Sequence, residues 1–291
     1  RGRLRRPKRR QRGARVGVVA VDVALTPPVP LTQRSSLLEQ IGVVARRSAI
    51  RTLRQRALLV FPILFPLILF AINGTALGAA ARIPGFPAPS YRDFALGLPF
   101  MQGALFVAIT AGTDLARDIE TGFFNRLALT PLRASALLIG QLGGAFVVAC
   151  IQSVVYLLVG IASGVGIKSG VGGALVLLVL AVLIAFGFAA LGAVMALRFG
   201  SGEAVQALFP LLFVTLFLSS ANFPRNLIKV HWFKEVATYN PVSYLIEGVR
   251  SLIIKGWDAQ ALALGFGFAA LLLVISMSLA GMAMRSRMAR T

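Results

Sequence analysis

Apolar and charged positions separate into long blocks along this chain instead of alternating residue by residue. Six stretches carry no charged side chain: Ala57–Ala81, Phe94–Thr113, Ala134–Ile167, Ser169–Leu197, Ala204–Pro224 and Ala259–Met284. Crossing a hydrocarbon core takes about 20 apolar residues at helical rise, and every stretch meets that length. Backbone polar groups find no water there, so each stretch is expected to be helical. The alternation of a membrane barrel is absent. The third stretch holds Gly140, Gly143, Gly144, Gly160, Gly164 and Gly166. It reads as one long helix ending near Ala162, followed by a tight glycine-rich turn around Lys168. The pattern predicts an all-α integral membrane protein with six transmembrane helices.

Two segments outside the spans have their own periodicity. Over residues 36–56, Leu37, Leu38, Ile41, Val44, Ala45, Ala49 and Leu53 share one arc at 100° per residue, while Arg46, Arg47, Arg51 and Arg54 fall on the other. Such a helix before the first span is expected to lie in the membrane interface, its arginines near lipid phosphates. Simple anchoring and a signalling role both fit. Residues 225–258 alternate short apolar and polar pieces and predict a re-entrant or outer helical segment before the last span. There Trp232, Trp257, Tyr239 and Tyr244 suit an aromatic belt. Glu247 and Arg250 stand three residues apart, the spacing of a local ion pair.

Composition agrees. The 291 residues are 57% hydrophobic and 14% charged, against roughly 25% charged in soluble chains, so a soluble domain is excluded. Thirty basic and ten acidic residues leave a net charge of +20, which by itself suits either nucleic acid or an anionic membrane. Placement decides. With six spans and both ends in the cytoplasm, the inner segments hold 22 basic residues and the outer segments eight. Positive charge retained inside favours that orientation. Residues 1–35 carry nine basic side chains in the first 15 positions and read as a disordered, membrane-adjacent tail. No aromatic interleaves its arginines, so nucleic-acid binding is not expected. Residues 285–291 form a second basic, cytoplasmic tail. Cys150 and His231 are each the only residue of their type, which excludes cysteine clusters and two-histidine metal motifs.

The inner loop 114–133, DLARDIETGFFNRLALTPLR, concentrates three of the ten acids. Gly122 can take the left-handed turn that ends a helix. Phe123, Phe124 and Leu127 then begin a short amphipathic piece stopped by Pro131. Charged ends around an aromatic centre suit either a docking element or a solvated loop with incidental ion pairs.

This loop resembles that of the ABC-2 type permeases, the membrane subunits of ABC exporters. The resemblance rests on Asp118, Glu120, Gly122, Asn125, Arg126, Leu127, Thr130, Pro131 and Leu132. A second match, Asn240, Pro241, Tyr244, Glu247 and Arg250, precedes the last span. It covers roughly residues 36–291, and the subfamily most resembled handles daunorubicin-like drugs. The resemblance implies a six-helix transmembrane domain over residues 57–284 and a coupling element at Asp118, Glu120, Gly122, Phe123, Phe124, Arg126 and Pro131. It also implies an outer gate at Asn240, Pro241, Tyr244, Glu247 and Arg250, and a bacterial inner-membrane location. Glu120 with Arg46 or Arg47 is the expected link between coupling element and interfacial helix. Two cytoplasmic ABC ATPase subunits and a second permease copy are the implied partners, beside membrane lipids and without nucleic acid. ATP and Mg would sit on the ATPase; no cofactor is expected on this chain, whose sequence has no GxxxxGK[ST].

The spans hold no ionisable residue away from their ends, which argues against proton coupling and for an apolar or amphipathic cargo such as a drug, lipid, polyketide or glycan precursor. Gln102, Gln141, Gln152 and Phe213 are candidates to line a path; helix-to-helix bonding and packing are the competing roles. A secondary transporter or channel is the alternative. A membrane enzyme would need convergent acid, base or metal groups that these scattered carboxylates do not offer.

Overall fold

In a computed structural model, residues 36–123, 126 and 133–288 are described. The basic tail over 1–35 and the loop residues Phe124, Asn125 and 127–132, including Thr130 and Pro131, lie outside them.

Every regular element among the described residues is helical. Helix α1 (Leu37–Arg54) starts on a capping box, in which the Ser36 hydroxyl accepts from the Glu39 N–H and the Glu39 carboxylate accepts from the Ser36 N–H. Helix α2 (Arg56–Ala76) follows, then α3 (Tyr91–Ala95) and α4 (Gly97–Glu120). Next come α5 (Ala134–Gln141), α6 (Gly143–Ala162) and α7 (Gly170–Phe199). The chain closes with α8 (Gly202–Gln206), α9 (Leu208–Phe217), α10 (His231–Tyr239), α11 (Pro241–Ile254) and α12 (Ala259–Met288). Five segments are long and apolar enough to cross a membrane: Leu59–Ala76, Tyr91–Glu120, Ala134–Ala162, Gly170–Phe199 and Ala259–Met288.

The stretch expected to form another span, Ala204–Pro224, is shorter as helix. Gly202–Phe217 rises about 24 Å, less than the roughly 30 Å of a hydrocarbon core. Side chains from the next helices claim the carbonyls around its end. Asn240 Nδ2 donates to the Thr215 carbonyl (2.6 Å), and Arg250 takes those of Ser220 and Ala221.

The third stretch is also not one helix. It breaks at Leu142, where Ser48 of α1 wedges in: its hydroxyl donates to the Gln141 carbonyl (2.8 Å) and accepts from the Gly144 N–H (3.2 Å). A side chain inserted into the helical ladder is a known cause of such breaks. The missing side chains of Gly140, Gly143 and Gly144 make the approach possible, since added Cβ atoms there would lie 2.3–2.6 Å from Val44, Ala45 and Thr52.

Helix α4 is the buried axis, packed along α7. Their backbones nearly touch: a Cβ on Gly192 would lie 1.9 Å from the Ala108 carbonyl oxygen. Small residues that let backbones approach are the usual glue between helices in lipid. In α2, proline replaces the N–H at position 66, which leaves the Pro62 carbonyl without its helical donor. The buried Tyr156 hydroxyl supplies one at 2.9 Å.

Gly192→Ala therefore forces α4 and α7 apart and should lower the yield of monodisperse protein severalfold and its melting temperature, read by size-exclusion chromatography and thermal unfolding in detergent. Gly267→Ala, whose Cβ meets nothing within 4 Å, should fold like the parent.

Candidate functional site

Two polar clusters stand at opposite ends of the bundle. At the first end, α4 closes with Asp114, Asp118 and Glu120. Asp118 is buried at 5% exposure. One of its oxygens pairs with the Arg51 guanidinium; the other accepts from Gln141 Nε2 at 2.9 Å and lies 4.0 Å from Arg47. Arg51 also reaches Asp114 at 3.5 Å. A single carboxylate thus joins the amphipathic helix α1, the axis α4 and the end of α5. The Arg47 guanidinium stacks on the Phe123 ring, 3.8 Å from its centroid, which ties α1 to the first residue beyond the α4 turn. That turn runs through Gly122 at φ 67°, the left-handed conformation expected there.

At the other end Arg250, 4% exposed, is the hub. Its Nε donates to the Phe94 carbonyl at 2.8 Å, and its two Nη groups donate to those of Ser220 (2.6 Å) and Ala221. The guanidinium lies 3.5 Å from the centroid of the Phe94 ring. Gly97 leaves the room for it, since a Cβ there would sit 3.0 Å from Arg250 Cγ. Next to it Arg225 pairs with Glu247 and stacks over Tyr244, and Tyr244 lies flat on Phe268, 4.8 Å between centroids. Burial works against the Arg225 charge, but the Glu247 hydrogen bond and charge outweigh it and hold the guanidinium above its usual pKa. Asn240 caps α11 by accepting from the Val242 N–H, and Pro241 occupies its first turn.

Residues 39–254 match the ABC-2 type transporter family. The chain belongs to the ABC-2 type transporter family. It is also 29% identical, over 202 residues and 67% of each chain, to the daunorubicin resistance ABC transporter permease protein DrrB1 of Streptomyces coeruleorubidus. The protein is thus a multi-pass membrane subunit of an ABC transporter, a kind of subunit that partners an ABC ATPase.

Several residues of this ABC-2 permease stand where the sequence did not anticipate. Glu120 does not meet Arg46 or Arg47; its carboxylate accepts from the Gly202 N–H at 2.9 Å and closes the start of α8. The link to α1 runs through Asp118 instead, two residues earlier and on another face of α4. Arg51 is accordingly turned into the protein and not toward lipid, because the packed stripe of α1 is Val44, Ser48, Arg51 and Thr52, rotated from the hydrophobic arc. Leu38, at 78% exposure, shows the same rotation. Glu247 pairs with Arg225 and not Arg250, whose side chain points into the protein. Gln141 belongs to the Asp118 cluster. Gln102 and Gln152 are buried, and Gln102 Oε1 and Gln152 Nε2 have no hydrogen-bond partner among the described residues. Phe213 joins Phe65, Phe209 and Phe217 in a run of ring contacts between α2 and α9. Arg126 is exposed, as are Arg46 and Arg54. Of the coupling residues, Phe124 and Pro131 fall outside the described residues.

The signals for the missed contacts were partial. Prolines four residues apart mark a carbonyl in need of a donor, and the Ser-x-x-Glu at 36–39 marks the start of α1. Nothing local marks Arg51, whose partner lies 67 residues away.

Removing the Asp118 carboxylate strands Arg51 and Gln141. Asp118→Ala should cost about 3 kcal/mol, the low end for breaking a buried pair, because Arg51 is a quarter exposed and keeps Asp114. Lys255→Ala, which removes a pair with an exposed lysine, should cost less than about 1 kcal/mol. Chemical unfolding of the two variants in detergent separates these outcomes.

Proposed function

We propose that this chain is the permease of an ATP-driven exporter that moves an apolar or amphipathic substrate out of the cytoplasm or the inner leaflet. The single observation that carries the reading is the family match over residues 39–254, spanning both α1 and the loop after α4. The relative's name concerns resistance to daunorubicin. An apolar or amphipathic drug suits the phenylalanine surface between α2 and α9, and a lipid, polyketide or glycan precursor suits it equally.

In this reading Gly202–Phe217 and the turns that follow it to Pro224 make the sixth crossing. Non-helical backbone is tolerated at membrane depth where protein satisfies it, and Arg250 does so for Ser220 and Ala221. Six crossings put both ends on one side, and the 22-to-eight distribution of basic residues makes that side the cytoplasm of a bacterial cell. The loop 114–133 then faces the ATPase, with Phe123, Arg126 and the neighbouring loop residues as its contact.

ATP and Mg2+ belong to that partner, in two copies. ATP-driven closure of the ATPase pair pushes the loop, and the Asp118 link passes the displacement to α1 and α4 together. The outer cluster around Arg250 holds α3, the 218–224 turn and α11 as one gate. A second permease copy completes the path along the exposed apolar stripe of α2, where Val60, Phe61, Leu64, Ile68 and Ile72 recur at helical spacing. ATP binding drives the cycle because its free energy differs between inward- and outward-open states.

Expression in a bacterial membrane and affinity purification test this. A soluble ATPase with a Walker motif should co-purify, and Phe123→Asp should reduce its recovery at least tenfold while the permease stays monodisperse. Efflux of an anthracycline from vesicles should stop without ATP and persist when the proton gradient is collapsed. A folded permease whose transport follows the gradient and ignores ATP would refute the assignment.

A further inference from the structure

A groove of ≈ 890 Å3 lies between α1, α6 and α7, apart from both polar clusters. Its walls are apolar: α6 contributes a stripe from Gly143 through Phe146 to Val154, and α7 contributes Leu178, Val182 and Phe186. Between Gly143 and Val154 the groove follows α6 for about 16 Å at helical rise, which is the depth of one leaflet of a roughly 30 Å hydrocarbon core. The floor near Gly143 is α1, whose Ala45 and Ala49 face the groove and whose Arg46 stands at its rim.

Arg46 belongs to two surfaces. It also lines a basic groove of ≈ 670 Å3 on α1 with Arg47, Arg51 and Arg54. Arg51 is neutralised by Asp114 and Asp118, and Arg47 is stacked on Phe123. Arg46 and Arg54 make no ion pair among the described residues. An apolar slot one leaflet deep therefore opens directly onto uncompensated positive charge at its interfacial end. That combination has the two-part form of an anionic amphiphile.

We propose that this groove is a binding site for an anionic phospholipid of the α1-side leaflet, with an acyl chain between α6 and α7 and the phosphate on Arg46. The proposal rests on the membrane topology proposed above. The volume falls within the roughly 300–1,000 Å3 usual for small-molecule sites. The choice of headgroup follows from charge: a zwitterionic lipid would bring its ammonium toward Arg46 and Arg54, whereas a phosphatidylglycerol head brings only a negative one. Because α1 also carries Ser48 and Arg51, a lipid in this groove holds the helix whose other face grips Asp118. Occupancy would thus steady the element that receives motion from the ATPase.

Native mass spectrometry of the full chain in mild detergent tests the proposal. The probes are phosphatidylglycerol, phosphatidylcholine with the same acyl chains, and glycerol phosphate without chains. Retention of one phosphatidylglycerol per chain is expected, competed by neither of the other two. Arg46→Gln should weaken it at least about fivefold, the worth of one arginine at an anionic surface. Val179→Trp, which fills the groove from an exposed position on α7, should weaken it through the chain instead. Both variants are to be matched to the parent in elution and melting temperature. Equal retention of phosphatidylcholine, equal competition by glycerol phosphate, or retention unchanged in both variants would overturn the site. None of these readouts involves the ATPase, so the lipid site and the exporter assignment fail separately.

Discussion

Asp118 is a carboxylate buried in the last turns of a helix that otherwise runs through apolar surroundings, and its two oxygens have to be satisfied there. An unpaired charge in such a place costs several kcal/mol. Arg51 and Gln141 meet that demand from two other helices, which fixes the roll of α1 about its axis. Once α1 is rolled that way, Ser48 is aimed at the α5–α6 backbone and the glycines of that segment face Val44, Ala45 and Thr52. The helix break at Leu142, the rotated packed stripe and the exposed Arg46 all follow from where one carboxylate finds its partners. The same ion pair joins α1 to the end of α4, directly before the loop 114–133 turns away from it.

The opposite end of the bundle solves a related problem with the sign reversed. Arg250 is a buried cation, and among the described residues its direct partners are backbone carbonyls and an aromatic face. Carbonyl oxygens left over where α9 ends need donors, and a guanidinium supplies five N–H groups in a planar fork. The arrangement lets the chain leave helical structure between Phe217 and Pro224 without stranding polar groups. A short apolar helix and a buried arginine are therefore two aspects of one structural solution.

Much of the architecture is legible in the sequence because lipid imposes a simple rule on it. Uncharged runs such as Ser169–Leu197 and Ala259–Met284 must be helices, and the helices found there, Gly170–Phe199 and Ala259–Met288, differ little from them in their bounds. Gly122 announced its left-handed turn, and Asn240-Pro241 announced the start of α11. Pairing was not legible to the same degree. Arg51 and Arg47 lie on the same polar arc by periodicity, and only the packing of α1 decides that Arg51 bonds Asp118 closely while Arg47 stays 4.0 Å from it. Arg250 sits three residues from Glu247, yet Gly97 offers a slot that draws the guanidinium inward. The length of α9 depends on bonds from Asn240 and Arg250, which are remote in sequence. Local pattern fixes secondary structure in a membrane, while the partners of its few charges depend on tertiary contact.

The central claim is that the Arg51–Asp118 link carries motion from the ATPase to the transmembrane helices. A double-mutant cycle on permease-stimulated ATPase activity addresses it directly, using Arg51→Met, Asp118→Asn and the pair together, each with partner association measured alongside. Each single substitution should lower the stimulation severalfold without loss of association, and the double variant should be little worse than either single, because all three break the same link. Full stimulation in both singles, or losses that simply multiply in the double, would contradict the account.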